Sequence, residues 1–197
     1  MTMPKILGES LEQHRETTRD RVFEALVALL AHQSFGSITM ADLAAEAGIG
    51  RSALYNHFRD KEDVVVDFAA METQRYLAAL EQALARVTGP RERLATYVTH
   101  HVESSTHFHV GLGTELAAAL SPASLLRMRE HAVAVEEVLR DILGAGQAAG
   151  EFRDADVGAL TSLVHATLQA KRASAQDACD FVLAGVSRHT TRDVAAT

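Results

Sequence analysis

From Asp20 to His32 the apolar residues Val22, Phe23, Leu26, Val27, Leu29 and Leu30 recur at spacings of three and four, the pattern of a helix that buries one face. The polar stretch before it, about residues 1–14, lacks that stripe and reads as a flexible tail. After Phe35-Gly36 the run Ile38-Thr39-Met40-Ala41-Asp42-Leu43 opens a second helix. Thr39 is its cap, Asp42 stands three residues on to complete a capping box, and Ile38 and Leu43 hold the two staple positions. Gly48 stops it, being the residue type that accepts a left-handed helix terminus. A very short third helix follows, Arg51 to Phe58. Asp60-Lys61-Glu62-Asp63 then starts a fourth, with Asp60 as cap and carboxylates near the positive end of the dipole. Its stripe of Val64, Val65, Phe68, Met71, Leu77, Leu80 and Leu84 runs to the break at Thr88-Gly89-Pro90.

Prolines stand only at positions 4, 90 and 122, so the rest of the chain is free of the strongest helix interrupter. Helical patterns continue over residues 91–108 and 114–120, then in a long segment entered by Ser121-Pro122, a cap with proline at the first helical position, and ending near Gly150. Two more cover about 154–172 and 174–189, the latter opened by Ser174 with Asp177 three residues on. No run of alternating β-branched residues and no internal repeat occurs. The expectation is an all-α chain of about nine helices.

Two short helices joined through Ala47-Gly48-Ile49-Gly50 have the length and turn chemistry of a helix-turn-helix, although an ordinary helical hairpin has the same turn. The wider set is more specific. Ile38 to Ala44, then Ala47 to Gly50, then Ser52-Ala53-Leu54-Tyr55-Asn56-His57-Phe58, then Asp60 to Asp63, resembles the DNA-binding head of the TetR family of transcriptional regulators. That resemblance implies an N-terminal three-helix head, residues 1–61, and a C-terminal effector-binding and dimerisation domain, residues 62–197.

Within the third helix, Ala53, Leu54 and Phe58 are suited to pack inward, leaving Arg51, Ser52, Tyr55, Asn56 and His57 to face outward with hydrogen-bonding groups. The planar fork of Arg51 matches the two acceptors of a guanine edge, and Asn56 suits adenine. By likeness to the family, Thr39, Tyr55, His57 and Lys61 grip phosphates, contacts that position the head without choosing a sequence. Met40 and Ala41 depart from relatives that place polar residues there.

Charge sharpens the picture. The chain has 19 Lys and Arg against 26 Asp and Glu, a net charge of −7, which argues against non-specific coating of nucleic acid. Residues 1–61 hold seven basic and eight acidic side chains and 62–197 hold twelve and eighteen, so the acidity lies away from the head. One cysteine, Cys179, excludes an intrachain disulfide and a cysteine-based zinc finger. The longest apolar run, Ala25 to Ala31, is too short to span a bilayer, so a soluble, cytoplasmic protein without membrane contact is expected. Glycine phosphate loops, serine elbows and paired Cys-x-x-Cys are absent, which argues against an enzyme.

The larger domain is expected to pair and to sense. Leu160, Leu163, Val164, Thr167 and Leu168 on one helix and Phe181, Val182, Gly185 and Val186 on the next form faces able to build a four-helix homodimer interface, or else monomer core. Under the resemblance, residues 91–150 hold a pocket for a small-molecule effector. Candidate lining residues are Phe68, Met71, Tyr97 and His100, with Phe108, Leu112, Leu116, Met128 and His131. Four of the ten histidines lie between His100 and His109. His100, Glu103 and His107 share one helical face, a pattern compatible with a metal ion, but the spacing is less diagnostic than His-Glu-x-x-His, and a polar pocket wall, bonds to helix-end carbonyls or solvated histidines are the weightier reading.

No cofactor is required by this reading. The expected function is a ligand-responsive regulator, a repressor released from a palindromic double-stranded DNA operator by its effector. The alternative is a helical metal-binding or metal-dependent protein built on the His100–His109 cluster.

Overall fold

The structure is a computed structural model and describes residues 6–108, 114–170 and 172–188. Among these are nine helices and no strand: α1 (Ile6–Leu30), α2 (Met40–Glu46), α3 (Arg51–Tyr55), α4 (Lys61–Leu84), α5 (Pro90–Phe108), α6 (Thr114–Ala119), α7 (Pro122–Ala148), α8 (Val157–Leu168) and α9 (Ala175–Val186). None is long and apolar enough to cross a membrane. The first helix departs from expectation. It begins at Ile6, so most of the stretch read as a tail is helical. Leu, Glu, Gln and Arg there are good helix formers without a proline among them, and an apolar stripe is not required to extend a helix already anchored downstream.

The chain divides into two compact units, and the division does not fall at residue 61. The first unit runs through Glu72 and takes in the segment ending at Arg129; the second comprises Thr73–Phe108 and the chain from Glu130 onward. The reason lies in the packing. Val64 and Val65 of α4 and Leu116 and Leu120 around α6 belong to the same apolar cluster as Val22, Phe23, Leu26, Ile38, Leu43, Leu54 and Phe58. Within it the Phe23 ring lies 5.9 Å from that of Phe58 and 5.7 Å from that of Phe68.

The second unit is built from the distal part of α4 with α5, the remainder of α7, α8 and α9. Its core joins Leu80, Leu94, Tyr97, Val98, Leu139, Leu143, Phe152, Val164 and Val182. α7 ends through Gly150, whose φ of +72° is the left-handed conformation a side chain would strain. The chain then folds back so that Phe152 lies against Gly146, where a Cβ would overlap its ring. Arg153 N–H donates to the Val186 carbonyl at 2.8 Å and Arg188 N–H to that of Glu151 at 3.1 Å, fastening this turn to the end of α9.

Candidate nucleic-acid interface and pairing surface

The second helix begins as its sequence dictates. Thr39 Oγ1 accepts from the Asp42 amide at 3.2 Å, and Asp42 Oδ2 accepts from the Thr39 amide at 2.9 Å and from its hydroxyl at 2.7 Å. These bonds from Thr39 hold the Asp42 carboxyl below its ordinary pKa. Ile38 and Leu43, the two staple residues, are both buried. At the other end Gly48 adopts φ +61°, and Arg21 Nη2 donates to its carbonyl at 3.1 Å. A β-carbon on Gly48 would meet that same guanidinium at 2.8 Å.

The turn delivers α3 with Leu54 and Phe58 buried and Arg51, Ser52, Tyr55 and Asn56 exposed, Tyr55 at 49%. His57 is half-buried. Ala53 is exposed, contrary to its expected place in the core, because α3 stops at Tyr55 and a helix this short turns only one residue, Leu54, fully inward. Thr39 is exposed, but its hydroxyl proton is engaged by Asp42.

Lys61 behaves differently from the phosphate-gripping role expected of it. Its ammonium donates to the carbonyls of Phe35 at 2.9 Å, Gly36 at 2.9 Å and Ile38 at 2.8 Å, and stands 4.8 Å from the centre of the Phe35 ring. Three acceptors match the three protons of an ammonium, leaving none for a phosphate oxygen. The turn between α1 and α2 exposes carbonyls that need donors, and the side chain at the start of α4 supplies them.

Basic groups on α1 enter the same neighbourhood without a local sequence signal. Burial lowers the pKa of His57 first, and the positive charges of Arg15, Arg19 and His14 lower it further. Arg19 is anchored there, 3.1 Å from Asp67 and within 5.9 Å of the Phe23 and Phe58 ring centres. His14 and Arg15 are exposed. Only their spatial return to α3 marks them, since α1 read by itself is an ordinary charged helix.

In the second unit the exposed surface of α8 and α9 stands out. Leu163 is 66% exposed and Phe181 69%, flanking a groove of about 230 Å³ that Thr167, Val182 and Gly185 also line. Leu160, Val164, Leu168, Val182 and Val186 are buried and belong to the unit's own core, so the pairing faces expected from sequence are divided between core and surface. The helical repeat explains the split: at about 100° per residue, Leu160, Val164 and Leu168 form an inward row from whose centre Leu163 is turned by roughly 100°.

The expected effector-pocket residues are likewise divided. Phe68, Met71, Leu116 and Met128 pack in the first unit's apolar cluster, whereas Tyr97 and His100 belong to the second unit. The side chains of Phe108, Leu112 and His131 lie outside the described residues, as does that of His107. His100 turns its ring to Tyr76, centroids 4.9 Å apart, while Glu103 is exposed. Among the described residues no group of three or more His, Cys, Asp or Glu is arranged to hold a metal ion.

The histidines instead join tyrosines from other helices. The Tyr97 hydroxyl lies 3.0 Å from His165 Nε2 and that of Tyr76 3.2 Å from His101 Nδ1. Burial raises the pKa of both phenols and lowers that of His165, so the Tyr97–His165 pair is neutral near pH 7. His100 Nε2 is buried without a hydrogen-bond partner among the described residues.

Comparison with known proteins accounts for this arrangement. Residues 22–67 match the family model for bacterial regulatory proteins of the tetR family, and residues 87–170 match that for the tetracyclin repressor-like C-terminal domain. The fold is similar to that of a fatty acid degradation regulator, FadR, from Bacillus halodurans, at 19% identity and TM-score 0.76 over 88% of this chain and 97% of that one. It is also similar to the TetR family transcriptional regulator PfmR from Thermus thermophilus, at 27% identity and TM-score 0.68 over 85% and 100%. A third similar structure is FadR from Bacillus subtilis in complex with stearoyl-CoA, at 16% identity and TM-score 0.68 over 83% and 95%. With both family regions present in order and the helix-turn-helix formed as described, the chain belongs to the TetR family of DNA-binding transcriptional regulators.

Proposed function

We propose that this regulator is a homodimeric repressor that reads a two-fold symmetric operator and is released from it by a small organic effector. The observation that carries the reading is the polarity of residues 51–58: Leu54 of α3 and Phe58 just beyond it are buried, while Arg51, Ser52 and Tyr55 of α3 and its cap Asn56 stand exposed. A helix so presented enters a major groove, where Arg51 reads a guanine edge and Asn56 an adenine, with Tyr55, His57 and the exposed His14 and Arg15 on phosphates. Thr39 ranks below these as a phosphate contact, because Asp42 already takes its hydroxyl proton.

One head buries too little surface for tight specific binding, and the exposed Leu163 and Phe181 support pairing through α8 and α9. Two heads then address half-sites about 34–36 Å apart. The effector acts by population shift, binding more tightly to an arrangement whose heads no longer match successive grooves. The tyrosine–histidine pairs and His100 Nε2, buried without a hydrogen-bond partner among the described residues, support a polar wall for that effector in the second unit.

Selection of bound sequences from a random duplex library with the full-length protein tests this reading. A two-fold symmetric site is the expected product. Recovery of a non-palindromic site, or of no preferred sequence, would refute the dimeric reader.

A further inference from the structure

The first turn of α4 lies at a junction. Lys61 holds it to the carbonyls of residues 35, 36 and 38, which lead directly into α2. Its next residue points to a different partner. Glu62 Oε2 accepts three hydrogen bonds from the start of α7: from the Ser121 amide at 3.1 Å, the Ser121 hydroxyl at 2.6 Å and the Ser124 hydroxyl at 2.6 Å. Asp63 follows, its Oδ1 2.8 Å from Arg127 Nη1 and 2.9 Å from Arg59 Nη2, with Arg127 Nη2 3.5 Å from Asp67.

The quality of this clasp separates it from a surface ion pair. Asp63 is only 13% exposed, and its carboxylate is held by two guanidiniums from different segments of chain. The Glu62 carboxylate takes the Ser121 amide just before a 27-residue helix, and the positive end of that helix's dipole favours negative charge there. Bonds to the two serines hold the Glu62 carboxyl below its ordinary pKa, and Arg59 followed by Arg127 does so for Asp63, so both are ionised at neutral pH.

Chain connectivity gives the clasp a consequence. Both α4 and α7 pass from the first compact unit into the second, α4 after Glu72 and α7 after Arg129. The clasped residues, 62–67 on one helix and 121–127 on the other, therefore lie just before both crossings. Only five residues separate Tyr55, the end of α3, from Lys61. A displacement of the first turns of α7 reaches Glu62 and Asp63 directly, and through Lys61 reaches the frame that carries α2 and α3.

We infer that Glu62, supported by Asp63, is a positioning residue for DNA reading: it makes the orientation of the recognition helix depend on the start of α7 through Ser121, Ser124 and Arg127. This rests on the DNA-reading function proposed above and adds the route by which that function is set. Neither residue touches DNA in this scheme, so loss of the clasp acts on discrimination more than on binding as such.

The test uses the full-length protein, the duplex recovered by selection and a scrambled duplex of equal length, with affinity for each measured alongside thermal unfolding. Glu62→Ala is expected to lower the ratio of the two affinities by about tenfold, the scale of a modest coupling between sites, while affinity for the scrambled duplex stays put. Glu62→Gln keeps an acceptor for the serines and restores most of the ratio. Ser124→Ala lowers it partially in the wild-type background and not at all in the Glu62→Ala background, the non-additivity expected of partners. Ile142→Val, a core deletion in the second unit, lowers stability and leaves the ratio intact.

A parallel loss on both duplexes that tracks unfolding temperature, or an additive Ser124→Ala effect, would overturn the inference. So would an unchanged ratio in Glu62→Ala. These outcomes spare the parent reading so long as the wild-type protein prefers its selected duplex; a wild-type protein that prefers none would overturn both.

Discussion

Lys61→Met removes one ammonium and keeps most of the aliphatic stem, isolating the three bonds to the carbonyls of Phe35, Gly36 and Ile38. A hydrogen bond to a charged group contributes about 1.5–3 kcal/mol when well shielded. Lys61 is half-exposed and water can replace part of each bond, so three bonds from one group do not sum to the full value. The contact with the Phe35 ring adds roughly 0.5–1 kcal/mol at such a site. A net loss of about 2–4 kcal/mol is expected, and at about 2–4 °C per kcal/mol for a chain of this size the melting temperature falls by roughly 4–16 °C. Circular dichroism melts measure that shift, and the same protein is titrated with the selected duplex at several salt concentrations. The two roles for Lys61 then separate: a phosphate contact makes the salt slope shallower by about one unit, whereas the carbonyl clip leaves it unchanged. An unaltered melting temperature with a shallower slope would refute the carbonyl clip.

Three further outcomes follow from the same geometry. Arg51→Ala is expected to relax discrimination at one operator base pair by about 1–3 kcal/mol, measured on duplexes substituted at each position; equal loss on specific and scrambled DNA would assign Arg51 to a phosphate instead. Leu163→Glu with Phe181→Glu places charges on side chains that are exposed in the monomer, so the fold is retained while sedimentation shows a shift to monomer and duplex affinity falls on the order of a hundredfold with the loss of the second head. Asp63 has a lowered pKa in the folded state, so its contribution to stability is present above the ordinary carboxylate range and fades as pH falls through about 4 and below. Urea unfolding of wild type and Asp63→Asn should accordingly differ most at neutral pH and converge in acid; a gap that widens in acid would reverse the assigned sign.

What could be read in the sequence was local. Thr39 with Asp42 and Ser174 with Asp177 are three-residue relationships, and both form reciprocal capping boxes. Gly48 and the start of α4 at Lys61 follow from equally short signals. The partners of Lys61 and Glu62 lie 23 to 62 residues away, and a lysine beside an acidic helix start looks the same whether it faces a phosphate or a carbonyl. Helical periodicity also identified the apolar character of α8 and α9, but not which of their residues the unit's own core would claim. In α5 the spacing of His100, Glu103 and His107 suggested partners along one helix, whereas Tyr76 of α4 and Tyr97 with His165 of α8 supply the contacts actually formed by the neighbouring rings.

The division of the chain at Glu72 and Arg129 has a practical corollary for anyone exchanging heads between regulators. Leu116 and Leu120 are buried in the first unit's apolar cluster although they come more than fifty residues after the helix-turn-helix. Fully burying a leucine contributes about 1.5–3 kcal/mol, so a graft of residues 1–61 alone arrives with bare hydrophobic surface on its underside. A portable reading head must instead be a composite transplant, the N-terminal segment through Glu72 together with the stretch ending at Arg129, and a chimera that mixes these two pieces from different parents inherits a mismatched seam.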